Sequence, residues 1–187
     1  MKSQVGFTLV ELVVTLAVAA ILMAAATPSL RDLIQNNRAT AYSNELVLAM
    51  TMARAEALKR SGPVTVCAAA PADPVTGMPT GCASDPLWTQ GWLLFQDAAT
   101  SGAPNPTGTG AELIRVWPAV PGLESAVIGE GSMPRAIRFT RQGGASMFPD
   151  GASRSFSVQA KACRGEQARE LRVAPMGRVS VTRKECA

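Results

Sequence analysis

The chain has 187 residues, 47% of them hydrophobic and 17% charged, with a formal net charge of +4. That apolar content excludes a disordered chain, and the lack of any internal repeat excludes collagen and coiled-coil arrays. No histidine occurs, which removes the commonest general base and the commonest metal ligand. Thirteen prolines and sixteen glycines predict many turns and short strands. Most of the positive hydropathy sits in the first thirty residues.

Residues 7–26 read FTLVELVVTLAVAAILMAAA and carry one charge, Glu11. As a helix rising about 1.5 Å per residue, this run is about 30 Å long, the thickness of a bilayer core. A secretory signal peptide has a shorter apolar run and a small-residue cleavage site, which Ala24-Ala25-Ala26 imitates. A plain membrane anchor fits the length but has no use for a carboxylate. A charge at that depth costs about 2.5–3.5 kcal/mol on insertion scales.

Gly6-Phe7-Thr8-Leu9-Val10-Glu11, behind the basic Lys2, resembles the processing site of the type IV pilin family, including the pseudopilins of type II secretion. The resemblance implies a leader over residues 1–6. A prepilin peptidase on the cytoplasmic side would cut between Gly6 and Phe7 and methylate the Phe7 nitrogen. Cleavage leaves a cationic amine at the positive end of a helix dipole, where it is disfavoured. Glu11, one turn along, offsets that charge, or meets the Phe7 amine of a neighbouring subunit. An ion pair in hydrocarbon penalises a missing partner, so it fixes axial register. The alternative is a glutamate snorkelling to the membrane surface.

Pro28 predicts a kink, after which the helical pattern resumes. Leu30, Leu33, Ile34, Ala41 and Leu48 form one apolar stripe, and Tyr42, Leu46, Ala49, Ala53 and Ala57 a second. Arg31, Gln35, Arg38, Asn44 and Arg54 occupy the remaining faces. Ser61-Gly62-Pro63 supplies the stop. The expectation is one long bent helix, with residues 7–28 as a transmembrane and filament-core half and residues 29–60 as an amphipathic half. The stripes are too broad and alanine-rich for a coiled coil, so the second half is expected to pack on a sheet.

Beyond Pro63 the period changes to two, predicting strands near 64–67, 92–95, 113–117, 136–139, 155–159, 170–173 and 178–182. Ile137 and Phe139 alternate with Arg138, Phe156 and Val158 flank Ser157, and Val179 and Val181 flank Ser180. Such strands are half-covered antiparallel ones. Residues 71–86 and 97–111, rich in Pro, Gly, Thr and Ala, are expected as surface loops. The fold class is therefore α+β: a spine helix packed against a globular antiparallel sheet domain over residues 61–187.

Ser61-Gly62 before Val64-Thr65-Val66-Cys67, then Gln90-Gly91-Trp92-Leu93-Leu94-Phe95-Gln96-Asp97, then Leu113-Ile114-Arg115-Val116, resemble the GspH/FimT branch of that family. The closing Gly177-Arg178-Val179 strand and the terminal cysteine are similar as well. The branch holds a minor pseudopilin of type II secretion and minor pilins of type IV pili. It implies a type IV pilin-like fold and a subunit that helps initiate or cap a filament. Its implied partners are other pilin or pseudopilin subunits, the prepilin peptidase and inner-membrane lipid before assembly.

Cys67, Cys82, Cys163 and Cys186 all follow the apolar segment, and Lys2 precedes it. The positive-inside rule then places the amino terminus in the cytoplasm and the globular part in the periplasm of a bacterial inner-membrane protein with a single pass. An even cysteine count in an oxidising compartment predicts disulfides. Of three pairings, Cys67–Cys82 and Cys163–Cys186 are expected, because each closes a modest loop between a strand and a nearby loop or end. A zinc site would need paired CxxC spacing or histidine, so no metal and no cofactor are expected.

Residues 134–187 hold eleven Lys and Arg against four Asp and Glu, whereas the rest of the chain is net acidic. Some FimT-type minor pilins bind DNA during natural transformation through a Gly-Arg-x-Arg pattern. Here Gly177-Arg178-Val179-Ser180 lacks the second arginine, although Arg183 and Lys184 follow. Arg178, Arg183 and Lys184 are the candidate DNA contacts, gathered into one patch if Cys163–Cys186 forms. The bland alternative pairs these arginines with Glu166, Glu170 and Glu185. No aromatic residue interleaves with them as a stacking platform.

Catalysis is not expected: there is no histidine, the cysteines are expected oxidised, and the carboxylates show no working pair. Neither Gly143-Gly144 nor Gly108-Thr109-Gly110 opens a helix as a phosphate loop does. Trp88 and Trp92 are expected as core residues. The function expected is a minor pilin or pseudopilin, with DNA binding as the alternative.

Overall fold

The computed structural model describes residues 8–187 apart from 75, 86, 99–101, 120–122, 128–131, 162 and 187. The side chains of 25–29, 31 and 124–127 also lie outside the description. Helix α1 spans Leu9–Arg60, and Lys59 and Arg60 in its last turn suit the negative end of the dipole. Nine strands follow: β1 Val64–Ala68, β2 Trp92–Gln96, β3 Glu112–Trp117, β4 Leu123–Val127, β5 Ala136–Phe139, β6 Ala145–Phe148, β7 Ser155–Ala160, β8 Ala168–Val173 and β9 Val179–Lys184. The chain forms two compact units, Met1–Gln35 and Asn36–Ala187, so the carboxyl half of α1 belongs with the strands.

The strands build two antiparallel sheets. The five-stranded sheet has the order β3-β2-β1-β5-β6, and the four-stranded sheet the order β4-β7-β8-β9. Seven strands lie where the period-two pattern places them. β4 and β6 were not expected, and the division into two sheets was not either. β6 is four residues long and sits between Gly143-Gly144 and Pro149, so its punctuation reads as a loop.

The second apolar stripe of α1 is the buried one. Tyr42, Leu46, Ala49, Ala53 and Ala57 are buried, joined by Ala39 and Met50. Leu48, from the first stripe, stays 55% exposed. Tyr42 meets Trp92 edge to face at 5.0 Å, and its hydroxyl donates to the Trp88 carbonyl. Burial of that hydroxyl raises its pKa far above the usual tyrosine range, so it is a permanent donor. The Trp88 indole stacks on Phe156 at 5.6 Å and donates to Pro134 O at 2.6 Å. Trp88 and Trp92 are thus core residues.

β1 is central and buried along its whole length. Val64, Val66 and Ala68 face the main core. Cys67 faces a second, smaller core with Ala69, Leu93, Phe95 and Ala136, against which Cys82, Ala111, Val116 and Phe148 pack. The segments expected as plain surface loops therefore contribute cover. Ala69 and Cys82 form an isolated antiparallel bridge, as do Ala72 and Pro79. Cys67 is bonded to Cys82, and Cys163 to Cys186.

Asp97, at the start of one of those segments, is only 2% exposed. Its Oδ2 accepts from Arg138 Nε at 2.9 Å and Nη2 at 2.6 Å, and from the Thr65 hydroxyl at 3.1 Å. Arg138 Nη2 also donates to Gly102 O at 3.1 Å. Satisfied in this way, the pair ties β1, β5 and the loop after β2 together.

Candidate functional site

Three features bear on function: the start of α1, the exposed surface of its first unit, and the basic final strand. Gly6, Phe7 and the leader, residues 1–6, lie outside the described residues, so cleavage and methylation remain sequence expectations. The same holds for the side chain of Pro28, although its backbone is helical.

The described chain begins at the helix cap. Thr8 precedes α1, and its hydroxyl accepts from the Glu11 N–H at 3.2 Å, while Thr8 O accepts from Leu12 N at 3.2 Å. Thr8-x-x-Glu11 is the sequence of a capping box, so Glu11 stands at the third helical position, beside the orphan N–H groups of the first turn. The sequence carried this signal. Neither expectation for Glu11, a partner for the Phe7 amine or a glutamate snorkelling to the membrane surface, includes this cap.

Ten large apolar side chains between Leu9 and Met23 are each at least 51% exposed. They lie on every side of the helix, a pattern that belongs to a membrane or a protein interior and not to water. Among the described residues, no helical stretch is long and apolar enough to cross a membrane. The described side chains of this run stop at residue 24.

The final strand separates the candidate DNA contacts. Successive residues of a strand face opposite sides of its sheet. Arg183 pairs with Arg169 and lies on the side of Val179 and Val181, whereas Lys184 lies with Ser180 and Thr182. Arg178 precedes the strand, about 16 Å of extended chain from Arg183. All three are exposed. Bonding Cys163 to Cys186, with Cys186 N donating to Gly165 O at 2.9 Å, holds the tail but does not gather the three cations into one patch. The expected pairing with acids is sparse: Arg172 reaches Glu170 at 3.9 Å, while Arg178, Arg183 and Lys184 form no ion pair among the described residues.

Sequence reasoning missed Arg169, which is buried and lies opposite Arg183 in the β8–β9 register. Its Nη2 donates to Asn36 Oδ1 at 3.0 Å and to the Thr40 hydroxyl at 2.9 Å, and its Nη1 to the Gln167 and Ala168 carbonyls. Burial lowers its pKa, and the charge of Arg183 acts in the same direction. Four neutral acceptors hold this guanidinium, so it clamps β8 to α1. Nothing in the local sequence distinguishes it from its exposed neighbours.

Comparison with known proteins agrees with the features above. The family described as type II transport protein GspH matches residues 43–177, and the prokaryotic N-terminal methylation motif matches residues 1–27. The crystal structure of the type IV minor pilin FimU of Pseudomonas aeruginosa PAO1, in space group P21, is similar with a TM-score of 0.51 and 17% identity. That alignment covers 78% of this chain and 89% of that one. A second crystal form of FimU, in space group P65, aligns with a TM-score of 0.48 and 16% identity over 76% and 91% of the two chains. No curated protein matches the sequence. The matched span runs from Ser43 of α1 through strands β1 to β8 and ends at Gly177: this chain belongs to the GspH family of type II transport proteins, the pilin-like minor pilins and pseudopilins.

Proposed function

We propose that this chain is a filament subunit stored in the bacterial inner membrane, cut between Gly6 and Phe7, and then built into a pilus or pseudopilus as a minor component that helps initiate or cap it. The observation that carries this reading is the helix from Leu9 to Met23, apolar and exposed on all sides behind its Thr8–Glu11 cap. Such a surface needs hydrocarbon, first of lipid and then of neighbouring helices. Removal of the leader leaves an amine at Phe7, and Glu11 is the only acidic residue within the apolar run. It partners that amine within the subunit or across to the next one, which sets the axial register of assembly. The sheet domain stays in the periplasm and contacts other subunits. Its disulfides suit that compartment.

The test is fractionation of cells making either the native chain or Gly6→Ala. The native chain is expected both in inner membrane and in purified filaments, and the uncleaved variant in membrane alone. Equal recovery of both in the filament fraction, or of neither, contradicts the proposal.

A further inference from the structure

Beyond the carboxyl end of α1 lies a cavity of about 360 Å3, lined by Ser61, Pro63, Arg138, Thr140, Arg141 and Gln142. All but Pro63 are polar and none is acidic. Among the described residues, the side chains of Ser61, Thr140, Arg141 and Gln142 make no hydrogen bond or ion pair with protein. Arg138 is only 9% exposed and directs Nε and Nη2 to Asp97 and Gly102, and among the described residues its Nη1 has no hydrogen-bond partner. Asp97 balances the charge of Arg138, so the positive charge of Arg141 is uncompensated here.

The end of a helix is normally hostile to anions, because its last carbonyls point outward. Here Ser61 N donates to Leu58 O at 3.4 Å and Gly62 N to Ala57 O at 3.3 Å, the bonds of a Schellman motif, so two of those carbonyls are occupied. The motif places Ser61 in the left-handed region, at φ 52°, although glycine is the easy residue there. Ser61 itself lines the cavity, and its hydroxyl has no hydrogen-bond partner among the described residues.

We propose that this cavity binds a phosphate-type oxyanion. Arg141 supplies the charge, Arg138 Nη1 a charged donor, and the Ser61 and Thr140 hydroxyls and the Gln142 amide neutral donors. The volume lies at the small end of ligand pockets, which leaves room for more than a bare ion. Free phosphate and a small organic phosphomonoester share this chemistry as sources.

The experiment is calorimetric titration of the full chain in detergent, at constant ionic strength, with inorganic phosphate and separately with glycerol phosphate. Saturable binding at one site is expected. Arg141→Gln, an exposed position where folding is not at stake, weakens it about tenfold. Ser61→Gly weakens it while raising Tm, a pair of opposite signs that a purely structural serine does not produce. Tighter uptake of glycerol phosphate assigns the organic source, and equal uptake assigns free phosphate. No saturable uptake of either, or uptake unchanged by both substitutions, overturns the proposal.

Discussion

Gly177 and Gly143 touch backbone to backbone: a Cβ on Gly177 would overlap the carbonyl oxygen of Gly143. The same oxygen accepts from Arg54 Nε of α1 at 3.0 Å. Helix, β5–β6 turn and β8–β9 turn thus meet at one point, and the glycine of the Gly177-Arg178-Val179 motif is there for space. Gly177 also has φ 75°, which an L side chain resists. Gly177→Ala is expected to cost more than about 2 kcal/mol in urea unfolding, by overlap and strain together.

Ser61→Gly has the opposite sign. Relief of a left-handed non-glycine residue at the end of α1 is expected to raise stability by about 1 kcal/mol, read as a higher urea midpoint at unchanged slope.

Asp97→Asn leaves the buried Arg138 guanidinium without its counter-charge. Breaking such a pair from one side costs about 3–5 kcal/mol. Thermal unfolding should show the loss, and Thr65→Val, which removes only a neutral hydroxyl donor from the same oxygen, should cost clearly less.

Acid should loosen the end of α1. Glu56 accepts from Arg60 Nε at 2.6 Å, and this bond, more than the nearby charge of Lys59, holds its carboxyl below the usual range. A carboxyl depressed by folding stabilises fully above its unfolded pKa and loses that contribution as pH falls through its folded pKa. Glu56→Gln should therefore lower the neutral plateau slightly, leave stability at the acid end nearly unchanged and so flatten the acid limb, measured by urea midpoints.

Local features of the fold were legible and long-range ones were not. Ile137 and Phe139, or Val179 and Val181, announce strands because alternation is written into adjacent residues. Leu123–Val127 offers only Leu123, Ala126 and Val127 as apolar residues, and β6 is hidden by its flanking glycines and proline, so neither strand declares itself. Two stripes on α1 looked equally apolar, and only pairing with Trp92 and Trp88 decides that the Tyr42 stripe is buried. Asp97 and Arg138 are 41 residues apart, a distance at which sequence carries no pairing signal. The basic tail was visible as composition, but whether Arg178, Arg183 and Lys184 share a face depended on strand register. The Thr8–Glu11 cap was legible in four residues.

Filament assembly depends first on how the amino terminus is made. Intact-mass and peptide spectrometry of the protein recovered from membranes tests that directly. The prediction is a mature chain beginning at N-methylated Phe7, with Thr8 and Glu11 retained at the head of α1. A mature chain beginning near Thr27, as a signal peptide cut after Ala24-Ala25-Ala26 would leave, contradicts it.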